Sequence, residues 1–85
     1  MSSLHVETKR KIKEINKFEF KILIDKLMLS DIEEQMMVMI YLKHKTMNQI
    51  ADELGYSEIG IIKMHQRILK KVAKLLQKGF TNSIL

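Results

Sequence analysis

Apolar positions along this chain recur three and four residues apart, the period of amphipathic helices. In residues 6–28, Ile12, Ile15, Phe18, Ile22 and Leu23 mark one stripe, with Lys9, Lys13, Lys17 and Lys21 on another face. That spacing predicts one long first helix. Ser30 then offers a side-chain oxygen to the orphan N–H groups of a second helix, with Glu33 at the capping-box position. Asp31, Glu33 and Glu34 suit the positive end of its dipole. This helix is expected to bury Met36, Met37, Val38, Met39 and Ile40 and to close on Lys43-His44-Lys45. Thr46 and Gln49 repeat the capping pattern for a short third helix, Met47 to Leu54, which Gly55 ends. Ser57 caps a fourth helix from 58 to about 78, with Ile61, Met64, Ile68, Leu69, Val72, Leu75 and Leu76 as its buried stripe. Gly79 reads as its stop signal, and residues 1–5 and 80–85 as loosely ordered, unless Phe80 folds back on the core.

Composition agrees with an all-α reading. The 85 residues suffice for one domain. A hydrophobic fraction of 46% and a charged fraction of 29% are globular values. Proline is absent, glycine occurs three times and aromatics make up 6%, a balance that favours helices over a β-sandwich. The absence of cysteine excludes a disulfide scaffold and a thiolate metal site, and three scattered histidines (His5, His44, His65) do not make a structural zinc site. The methionine cluster reads as adaptable core filling, and His44 as a surface residue beside a helix end. No apolar run approaches the roughly 18 residues of a membrane span, and the first ten residues lack the apolar core of a secretory signal. The expectation is a cytoplasmic protein with no membrane contact. An enzyme has least support, because no Ser/His/Asp constellation or glycine-rich phosphate loop is present. No cofactor is expected.

Charge is unevenly placed. The chain carries +5 overall, with +3 in residues 1–27, −4 in 28–60 and +6 in 61–85, where Lys63, Arg67, Lys70, Lys71, Lys74 and Lys78 stand without an acid. A wholly basic last third fits a polyanion binder, or a solvated helix face that suits its own dipole.

Residues 46–71 decide between these. Two helices that cross sharply need a small residue where the second passes the first, a turn residue tolerant of positive φ, and apolar inner sides. Ala51, Gly55 and the set Ile50, Leu54, Tyr56, Ile61 and Met64 meet those needs, and Ser57 caps the second helix. The pattern predicts a four-helix (tetrahelical) helix-turn-helix domain, against an ordinary αα-hairpin as the competing reading.

The same residues resemble region 4 of bacterial sigma factors. Leu29-Ser30-Asp31-Ile32-Glu33-Glu34 through Ile40-Tyr41-Leu42 is similar to its first half. Met47-Asn48-Gln49-Ile50-Ala51-Asp52-Glu53-Leu54-Gly55-Tyr56-Ser57, followed by Ile61 and Arg67-Ile68-Leu69-Lys70-Lys71-Val72, is similar to its second. The likeness spans about residues 29–76. The LuxR/GerE-type helix-turn-helix has nearly the same skeleton, but Met64 stands where that family usually has histidine, and His65 lies one residue late.

The resemblance implies a sequence-specific reader of double-stranded DNA that regulates transcription, with helix 58–71 in the major groove. The matching contact positions are Glu58, Ile59, Ile62, Lys63, Gln66 and Arg67. Lys63 could donate to guanine, Gln66 pair with adenine and Glu58 accept from cytosine, while Arg67 and Lys70 hold phosphates. Thr46, Asn48 and Gln49, with Ser57 at the turn, would add backbone contacts. Ile59 and Ile62 depart from the usual polar residues of region 4. They pack on thymine methyls or form an apolar patch for a protein partner. The chain has no room for the module that melts the −10 element, so a stand-alone region-4-like regulator is expected, not a complete sigma factor. RNA polymerase and a second copy of the chain are its candidate further partners. A protein-interaction module on the same scaffold, and a small RNA-associated region-4-like protein, are the alternatives.

Overall fold

The computed structural model describes residues 3–77, and these form five helices: α1 Ser3–Glu14, α2 Lys17–Leu27, α3 Asp31–Tyr41, α4 Met47–Leu54 and α5 Glu58–Gln77. No strand occurs among the described residues. The expected four helices become five because the single helix anticipated over residues 6–28 is two. Ile15 and Asn16 interrupt it. Asn16 leaves helical geometry at ψ 174°, and its side chain accepts from the Glu19 N–H at 2.8 Å. The Glu19 carboxylate in turn accepts from the Asn16 N–H at 3.0 Å. This reciprocal cap satisfies two donors that a helix start leaves orphaned.

The break moves the buried face of α2. Phe18, expected in the core, is 71% exposed, and Phe20, Leu23, Ile24 and Leu27 are buried instead. Ile15 and Ile22 are half-buried against the core. The first helix also begins at Ser3, ahead of the expected start. The signals assigned to Gly79 and Phe80 lie outside the described residues.

The remaining caps match their expected residues. Ser30 and Glu33 exchange bonds at 3.3 and 2.9 Å, and Thr46 and Gln49 at 3.2 and 2.9 Å. α5 is the central element and packs against α1, α2, α3 and α4, while α3 also touches α4. A helix of its length is about 30 Å long, enough to serve all four neighbours. Met36 and Met37 are fully buried with Ile50, Ile61, Ile68 and Val72, while Val38, Met39 and Ile40 are half-buried. No described helix is long and apolar enough to cross a membrane.

Candidate nucleic-acid interface

The corner between α4 and α5 is built from local chemistry. Gly55 adopts φ 74°, and its N–H and that of Tyr56 both donate to the Ala51 carbonyl, the latter at 2.9 Å. A residue with a Cβ is strained at that φ, which is why glycine ends α4 here. Ser57 then accepts from the Gly60 N–H at 3.0 Å and starts α5. Ala51 is buried at the contact, as are Ile50, Ile61 and Met64. Tyr56 differs from expectation: it is 44% exposed at the corner and does not join the core.

Burial of one side of α5 leaves the other side open. Ile59, Ile62, Lys63 and Gln66 are spaced i, i+3, i+4 and i+7 and so share one face. Ile59 is 66% exposed, Ile62 36%, Lys63 is exposed and Gln66 is half-buried. Glu58, Arg67 and Lys70 are exposed on the same helix. Thr46, Asn48 and Gln49 are exposed at the start of α4, separated from the corner by about 12 Å of helix. Two groups therefore arise, an α5 stripe and an α4 N-terminal group. Within the second, the Thr46 hydroxyl and the Gln49 amide oxygen are already engaged in the cap, and Ser57 is likewise engaged at the start of α5.

Three charged or polar features escaped the sequence reading. Lys45 binds Glu53 at 2.6 and 2.7 Å, tying the loop before α4 to the end of that helix and offsetting one acid of the corner. Glu33 at the start of α3 feels the charges of Lys71 and Arg67. Its carboxyl is held below the usual range, first by the bond from the Ser30 backbone, against the opposing effect of burial, then by the Ser30 side chain and least by those cations. Behind the open face, His65 is buried and shares a 2.7 Å hydrogen bond between its Nε2 and the Tyr41 hydroxyl. The Tyr41 ring also stacks obliquely on Phe20, at 6.1 Å between centroids, so one aromatic chain joins α2, α3 and α5. Burial pushes the Tyr41 hydroxyl pKa up and, with Lys9 and His5 nearby, the His65 imidazole down to about 4. A neutral imidazole therefore braces the helix from inside.

No family model, curated protein or solved structure gives a significant match to this chain.

Proposed function

We propose that this protein is a sequence-specific double-stranded DNA-binding regulator of transcription, built on a helix-turn-helix like that of sigma region 4, with α5 as the reading helix. One observation carries the proposal. The helix after the corner keeps its buried side in the core, turns Ile59, Ile62, Lys63 and Gln66 outward, and follows them with Arg67, Lys70, Lys71 and Lys74 exposed and no acid after Glu58. A helix with its side chains is about 10–12 Å across, the width of the B-DNA major groove. Base edges specify sequence and phosphates fix register, so a mixed stripe beside a run of cations supplies both contact classes.

Selection of bound duplexes from a random pool, at two salt concentrations, tests the proposal. It should return one preferred sequence whose affinity falls steeply with salt. Lys63→Ala should relax preference at one position at a cost of about 1–3 kcal/mol, whereas Lys70→Ala should weaken all duplexes alike and flatten the salt slope by about one unit. Equal affinity for every duplex, with tighter binding to RNA, would favour the RNA-associated alternative.

A further inference from the structure

The two isoleucines at the head of the stripe are out of place on a surface made only for phosphates. Ile59 is 66% exposed and Ile62 36%, and neither is needed by the core that Ile61, Met64 and Ile68 complete on the opposite side of α5. They stand in the first two turns, the part of a reading helix that reaches base edges. They share their face with Lys63 and Gln66, and Arg67, Lys70, Lys71 and Lys74 follow on the same helix. That charge matches the sugar–phosphate walls of a groove, whose phosphates a run of cations neutralises.

We infer that Ile59 and Ile62 recognise pyrimidine C5-methyl groups in the major groove, so that the preferred site carries thymines where the first two turns of α5 enter. The inference rests on the DNA-reading proposal and adds a chemical identity to part of the target. In the major groove the only apolar feature of a base-pair edge is the thymine methyl. Side chains three apart on a helix are about 5–6 Å apart, and base pairs step by about 3.4 Å. The two isoleucines therefore address pyrimidines one or two base pairs apart. An isoleucine side chain cannot accept or donate a hydrogen bond, so it leaves a cytosine amino group unpaired and discriminates against it.

Deoxyuridine differs from thymidine at the C5 methyl alone, which gives a direct test. The duplex selected from the random pool is resynthesised with dU replacing dT at each position in turn. At two positions the wild-type protein should bind about fourfold more weakly for each methyl removed, the equivalent of one buried methyl-sized group. Ile59→Ala, a change at an exposed site, should weaken binding to the thymine duplex and abolish the dT-to-dU difference at one of those positions only. Ile62→Ala should do the same at the other. 5-Methylcytosine in place of cytosine at either position should recover affinity relative to cytosine. Circular dichroism on both variants checks that the helices are intact. Equal binding of dT and dU duplexes, with sequence preference and salt slope retained, overturns the methyl inference and leaves the DNA proposal standing. Absence of any preferred duplex, with a protein partner lost on Ile59→Asp, overturns both and assigns the isoleucines to a protein interface.

Discussion

His65 and Tyr41 form a buried hydrogen-bonded pair between α5 and α3. The imidazole is buried and neutral, with its pKa down at about 4 against 6.5 for the free group. Between those values an unfolded chain takes up a proton that the folded chain refuses, so the unfolded state gains as pH falls. Stability should be flat above about pH 6.5, fall through the window down to about 4, and lose about 3 kcal/mol in all from this group. Urea titrations at several pH values measure this. A His65→Gln variant should lack most of the slope, and an unchanged slope would contradict the assignment. Tyr41→Phe leaves the His65 nitrogen without its 2.7 Å partner and should cost about 1–3 kcal/mol. The pair was not legible in the sequence. Both residues sit at the buried phase of their helices, but a bond between positions 24 apart requires the packing of α3 on α5, which no local pattern shows.

Helix ends are the next scale, and there the sequence was mostly readable. The caps at Ser30, Thr46 and Ser57 depend on side chains three residues from the backbone they satisfy, and the stop at Gly55 on one residue's tolerance of positive φ, so local sequence alone locates them. Asn16 and Glu19 form the same motif. It was hidden because the apolar spacing of Ile12, Ile15, Phe18 and Ile22 continues through it. Once the chain bends at Asn16, Phe18 turns outward and Phe20 inward, a change of phase that a continuous stripe cannot convey. Asn16→Ala should cost about 1 kcal/mol and fray the start of α2. Two residues of positive φ give a paired prediction. Gly55 at 74° has open space where a Cβ would stand, so Gly55→Ala should destabilise by about 1 kcal/mol from backbone strain alone. Met28 holds φ 52° with 87% of its surface exposed, so Met28→Gly should stabilise by up to about 1 kcal/mol. Thermal melts of the three variants check both directions.

At the scale of the whole molecule, α3 brings an acid toward the cations of α5. The acids of the middle block are not spread evenly: Glu33 lies within electrostatic reach of Arg67 and Lys71, and Glu53 is held by Lys45. Arg67 and Lys71 are thereby moderated by Glu33, while Lys63, Lys70 and Lys74 stand exposed along α5. Glu33→Gln should release that moderation and tighten binding to every duplex by about threefold, without changing sequence preference. Weaker binding, or a changed preference, would show that Glu33 acts through the geometry of α3. The outward stripe itself was legible from helical phase, whereas the half-burial of Gln66 and the exposure of Tyr56 depend on tertiary packing that no local pattern shows. The most direct examination of α5 as a reading helix is amide chemical-shift mapping of labelled protein titrated with the duplex recovered from the random pool. The largest changes should fall on residues 57–67 and on Thr46, Asn48 and Gln49, with α2 unaffected. Changes confined to α1 and α2, or none at saturating duplex, would place any DNA contact elsewhere and remove α5 from the role given to it.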